Sequence, residues 1–159
     1  MTAVLEQSVS IAAEPPDQAE VHALIADLNA YLLSFYLPEA CHHMTVAELS
    51  EPNIVFFVAR ERGKAVGCGA LRVLSEEEGE VKRMYVAPGQ QGRGLGRLIL
   101  TAIEERARDM ALARLLLETG DQQPAALNLY RSAGFAVRGP YLDYPDDGVS
   151  IFMEKRLSN

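Results

Sequence analysis

Cysteine is scarce in this 159-residue chain: the two thiols, Cys41 and Cys68, stand far apart and in no C-x-x-C pairing. That argues against a disulfide framework and a thiolate metal site, and both are expected as free thiols. Basic residues are also short, 15 Lys and Arg against 22 Asp and Glu, for a formal charge of −7. Wrapping nucleic acid takes a basic face that neutralises phosphates, so the balance speaks against that class while leaving room for a local basic site. No apolar run approaches the ~20 residues that span a bilayer, and no basic-then-apolar leader opens the chain, so a cytoplasmic protein is expected. No repeat, low-complexity tract or linker interrupts it. Residues 1–159 read as one domain, long enough to bury roughly two-thirds of its unfolded surface.

What is present alternates between strand and helix signals. Residues 8–13 read as a strand, and Pro15-Pro16-Asp17 starts a helix with Val21, Leu24, Ile25, Leu28, Leu32 and Phe35 at spacings of three and four. That helix should stop before Pro38, with 38–43 a loop. Thr45-Val46-Ala47-Glu48 is a capping-box pattern that opens a short second helix. Two β-rich runs, 54–59 and 65–74, flank a turn at Gly63, and 75–79 reads as a charged loop before a third run, 80–86. Leu95, Leu98, Ile99, Ala102, Ile103, Ala107 and Met110 line one side of a helix. Residues 114–117 form a short apolar strand, 124–132 a helix closed by Gly134, 140–148 a turn-rich connection and 149–155 a last strand. This order implies an α/β (α+β) domain, a mixed sheet with helices on both faces.

The sharpest local signal is Val86-Ala87-Pro88-Gly89-Gln90-Gln91-Gly92-Arg93-Gly94-Leu95-Gly96, a strand end followed by glycines that open a strongly periodic helix. Glycines remove the Cβ atoms that keep a ligand off the backbone, and the free amides of a first helical turn favour an anion. Arg93 and Arg97 add cationic donors. A phosphate site is the physical reading. The segment lacks the Lys-Ser or Lys-Thr of a Walker loop and the G-x-G-x-x-G spacing of a dinucleotide fold, so both are set aside.

Gln91-Gly92-Arg93-Gly94-Leu95-Gly96 resembles the acyl-CoA loop of the GNAT N-acetyltransferase superfamily, (Q/R)-x-x-G-x-(G/A). Val81-Lys82-Arg83-Met84-Tyr85-Val86 is similar to that family's central strand, and Leu129-Tyr130-Arg131-Ser132-Ala133-Gly134-Phe135 to its L-Y-x-x-x-G-F ending. The resemblance implies a mainly antiparallel sheet with one splayed parallel strand pair, and an acetyl-CoA-dependent N-acetyltransferase in which an amine attacks the thioester directly, without a metal. It implies that Met84, Tyr85 and Val86 offer backbone to the pantetheine arm, and that Gln91, Gly92, Arg93, Gly94, Leu95, Gly96 and Arg97 surround the diphosphate. Tyr130 would protonate the departing thiolate and Glu80 would act as base, with a histidine or a water relay as alternatives. Gln123 stands where many relatives have asparagine against the pantetheine arm.

For the acceptor, the resemblance points to two segments, one with Tyr36, His42 and His43 and the other with Tyr144. Aromatic faces and nearby carboxylates suit a cationic amine. The expected acceptor is a small-molecule amine. A protein N-terminus or lysine, a non-catalytic acyl-CoA sensor and a nucleotide-binding regulatory domain remain as other readings. Homodimers are common among similar proteins, and the C-terminal strand is the expected interface.

Overall fold

The computed structural model describes residues 8–157. Strands β1 (Val9–Ala13), β2 (Ile54–Glu61), β3 (Lys64–Val73), β4 (Glu78–Val86), β5 (Arg114–Gly120), β6 (Ala136–Arg138) and β7 (Ser150–Arg156) form one sheet in the order β1-β2-β3-β4-β5-β7-β6. Every neighbouring pair is antiparallel except β4 and β5. Helices α1 (Ala19–Leu33), α2 (Val46–Leu49), α3 (Leu95–Asp109) and α4 (Pro124–Ser132) join them, with a 3-10 turn at Pro38–Ala40 inside the expected loop. No helix among the described residues is long and apolar enough to cross a membrane.

The alternation of β2 separates two cores. Phe57 and Ala59 face α3 and pack with Ile99, Leu100 and Ile103, while Phe56 and Val58 face α1 and meet Val21, Leu24 and Ile25. Leu116, Tyr141 and Phe152 form a smaller third cluster. The capping box forms as expected: Thr45 Oγ1 accepts the Glu48 amide and Glu48 Oε1 the Thr45 amide, both at 3.2 Å.

Several expectations need correcting. Phe35 lies past the end of α1 and is exposed, and Leu98, within α3, is turned to solvent. β4 begins at Glu78, so Glu78 and Gly79 belong to a strand rather than to a charged loop, and β5 runs three residues past its apolar core to Gly120. β6 was not anticipated, because three residues of Ala-Val-Arg carry no periodicity of their own. Gly79 is held to glycine by packing. A Cβ there would sit 2.7 Å from Leu71 Cδ1 and 3.0 Å from Leu112 Cδ1. Gly79→Ala is therefore expected to destabilise the fold by about 1–3 kcal/mol, read as a lower urea midpoint at unchanged slope.

The central irregularity is a bulge in β4. Cys68 pairs with Tyr85 but Ala70 pairs with Lys82, so Gly69 faces two residues, Arg83 and Met84. Arg83 takes φ 55, and the strict alternation of side chains breaks there. Lys82 and Arg83 consequently both point to the α1 side, where Lys82 Nζ donates to the His42 carbonyl at 3.1 Å and Arg83 donates to Asn29 Oδ1. Met84 returns to the α3 core and Tyr85 packs against the α1 core.

Candidate active site

β4 and β5 pair only over Glu78 to Val81 and Arg114 to Leu117. Beyond those residues β4 stays bonded to β3 and β5 to β7, so the facing backbone edges of 82–86 and 118–120 have no strand between them. An edge of free amides and carbonyls is what an extended amide-bearing ligand can complete. The gap opens into a cavity of about 680 Å3, lined among others by Met84, Gly92, Gly94, Glu118, Gln123 and Tyr130.

The glycine loop rims that cavity. Gly92 and Gly94 both have φ +79, and a Cβ at either would meet nothing within 4 Å, so the backbone demands glycine while the space outside is open for a ligand. Gly94 caps α3, whose first amides, from Leu95, Gly96 and Arg97, have no carbonyl inside the helix to bond. Gly96 serves packing instead: its Cβ would lie 3.2 Å from Leu129 Cδ2, so it lets α3 and α4 approach. The arginines expected as cationic donors have protein partners. Arg93 bonds Glu61 at 2.5 Å and also Gln90, and Arg97 bonds Ser132. Gln91 Nε2 donates to the Val86 carbonyl at 3.2 Å, which ties the loop to the strand end. Gly94→Val would put a strained, branched side chain in front of these amides and is expected to weaken coenzyme A binding at least about tenfold by calorimetry.

Tyr130 is buried in the wall between the two splayed strands, its ring 5.8 Å from Phe135 edge to face. Burial, and then the nearby Glu118 carboxylate, push its hydroxyl well above the ordinary phenol value, so it carries its proton at neutral pH. Gln123, at the N-cap of α4, is buried in the same wall with Nε2 unpartnered. Tyr36 also lines the cavity. Its hydroxyl accepts the Gln122 amide at 2.7 Å and lies so close to Gly120 that a Cβ there would be 2.1 Å away.

Glu80 is 0% exposed, not a member of a solvated acidic loop. It shares the α1 face with its register partner Leu116. Its Oε1 accepts from Arg72 at 3.3 Å, and its Oε2 accepts from the hydroxyls of Tyr141 and Tyr144, the latter at 2.8 Å. Tyr144 in turn accepts from Lys82 Nζ at 2.9 Å and stacks edge-on against His42. Neither Glu80 nor Tyr144 is among the cavity-lining residues, whereas His42 and His43 are. Glu80 reaches the cavity through Tyr144 and Lys82.

Sequence reasoning passed over Glu118. It sits on the free edge of β5, lines the cavity, and burial lifts its pKa to about 7, against the lowering pull of Lys82. The expected strand stops at Leu117 with the last apolar residue, so Glu118 falls outside it. The signal that could have found it is an acid directly following a buried parallel strand, where open α/β sheets place ligands.

A loop of left-handed glycines leading into a slot between two diverging parallel strands, with a protonated tyrosine in its wall, defines a transferase for an extended, phosphate-bearing donor. The sequence model of the Acetyltransferase (GNAT) family matches residues 21–135, and the chain belongs to that family, as an acetyltransferase. It is 46% identical over 151 residues to the IAA acetyltransferase of Azospirillum brasilense, covering 94% of this chain and 99% of that one. It is 36% identical over 140 residues to an uncharacterized N-acetyltransferase of Bacillus subtilis, covering 84% and 92%. A solved Klebsiella pneumoniae protein described as a candidate acyl-CoA N-acyltransferase superposes with a TM-score of 0.82 at 36% identity, covering 94% of this chain and 98% of that one.

Proposed function

We propose that this protein transfers the acetyl group of acetyl-CoA to the primary amine of a small acceptor by direct attack. The observation that carries this reading is the divergence of β4 and β5 beside the glycine loop, with Tyr130 in the wall of the gap. The residues fit the donor. The open space at Gly92 and Gly94 and the amides opening α3 suit the diphosphate, and the free edge of 82–86 with the orphaned Gln123 amide suits the pantetheine arm. Acetyl-CoA supplies the acetyl group as a thioester: the amine nitrogen bonds the carbonyl carbon, the carbon–sulfur bond breaks, and the electron pair leaves on sulfur.

The chain's own groups handle the protons. An alkyl ammonium with pKa near ~10.4 has to lose a proton before its lone pair can attack, and freeing it at pH 7 costs about 4–5 kcal/mol. Glu118, in the cavity wall with a pKa of about 7, is matched to accept that proton near neutrality. Tyr130 retains its proton and gives it to the thiolate, and the second proton that the nitrogen sheds as the amide forms restores the Tyr130 hydroxyl. Glu80 orients the Tyr144 hydroxyl and balances Lys82. The chain Glu80, Tyr144, Lys82 favours a second reading in which Glu80 withdraws the proton through Tyr144 or a water. A cavity shared by donor and acceptor supports a small acceptor over a protein lysine.

The test is thiol release from acetyl-CoA in the presence of a panel of primary amines, with mass spectrometry of the acetylated product. Amine-dependent release supports the reading. Tight coenzyme A binding without release for any amine would make the protein a sensor, and tighter ATP than coenzyme A binding would make it a nucleotide module.

A further inference from the structure

The α1 side of the cavity holds a buried guanidinium, Arg83, that no carboxylate of the described residues pairs. The β4 bulge turns Lys82 and Arg83 to one face, and none of the ion pairs among the described residues includes either of them. Arg83 lines the cavity at 8% exposure, its Nε has no partner, and the side-chain contact it makes is with the neutral amide of Asn29. The thiols of Cys41 and Cys68 and the like-charged Lys82 lie within electrostatic reach of it, and burial draws its pKa down. Beside it His42 and His43 line the same cavity, each with a buried, unpartnered Nε2. Burial, then Arg83, Lys82 and His42, hold His43 below the ordinary imidazole value, so its ring is neutral at pH 7. Burying a guanidinium without an anion is costly, and the arrangement is made good when a ligand brings one.

The donor's diphosphate is not that anion, because the glycine loop opens α3 and so serves the opposite face of the sheet from Asn29 of α1. Glu118 is the acid in the cavity wall, and Cys41 lies within electrostatic reach of both Glu118 and Arg83, which puts the opposite charges near one another. The geometry points to a carboxylate subsite in which Arg83, with His42 and His43, holds the carboxylate of the acceptor while the acceptor's amine faces Glu118. The acceptor class is therefore a small amino carboxylate, an amino acid in charge pattern. This rests on the acetyl-transfer reading and narrows it.

The experiment compares the common amino acids with their carboxamides, which keep shape and amine but lose the negative charge. Thiol release is followed, and binding to the protein saturated with coenzyme A is measured by calorimetry. The acids are expected to exceed their amides at least about 30-fold in kcat/KM and in affinity. Arg83→Gln should bring that ratio close to one through KM, and Arg83→Lys should restore part of it, which a purely structural role would not do. Equal use of acid and amide, or a preference that survives Arg83→Gln, overturns the subsite while leaving acetyl transfer intact. Absence of thiol release with every amine defeats the transfer reading instead, and the calorimetric ratio still decides the subsite.

Discussion

Tyr130→Phe is expected to lower kcat about 100-fold with little change in the affinity for acetyl-CoA. The substitution keeps the ring, its edge-to-face contact with Phe135 and its place in the α3 core, and removes one proton donor. Because burial and Glu118 hold that hydroxyl protonated, it can donate to sulfur as negative charge develops there, a role for which the phenyl ring has no substitute. The effect should shrink with a donor whose thiol is more acidic, since a better leaving group has less need of the proton. Unchanged turnover with acetyl-CoA would remove Tyr130 from the mechanism.

Glu118→Gln is expected to cost about 100-fold or more in kcat/KM near neutrality and to erase the ascending limb of the pH profile centred near pH 7. Loss of that limb in Glu80→Gln alone, with Glu118→Gln retaining it, would transfer the role of base to Glu80. Stability supplies a second readout with a definite sign. A carboxyl whose folded pKa is raised from 4.5 to about 7 binds more protons folded than unfolded between those values, so wild-type stability falls as pH rises through that window. Glutamine cannot ionise. Glu118→Gln should therefore be more stable than the wild type at pH 8, by about 2 kcal/mol after allowing for partial solvent access, and equal to it near pH 4. A residue that stabilises the fold when removed but abolishes turnover is held for its chemistry.

Glu80→Gln contrasts with it. Glu80 is fully buried and accepts from Arg72, Tyr141 and Tyr144 at once, so removing its charge strands a cation and two hydroxyls and should lower stability. From sequence Glu80 and its neighbours Glu76, Glu77 and Glu78 are alike, a run of acids around one glycine. Only the pairing of β4 with β3 and β5 separates the fully buried Glu80 and the half-buried Glu78 from the exposed Glu76 and Glu77. Glu118 illustrates the converse, since an apolar run marks where a strand is buried but not how far its backbone extends.

Apart from β6, the order of strands and helices and the glycine loop were legible in the chain, because they depend on local composition and spacing: a β-branched and aromatic run at 54–59, period three to four in α3, and left-handed turns that glycine adopts cheaply. The third glycine was readable as part of a motif, yet its reason is the approach of Leu129 from a helix 33 residues away in sequence. Tertiary structure decided what the local pattern does not encode. It set the point where β4 and β5 part, the bulge that turns both Lys82 and Arg83 to one face, and the burial that raises Glu118 and leaves Arg83 without an anion. Each depends on which strand lies alongside and how much water remains, and those are properties of distant residues brought together by folding.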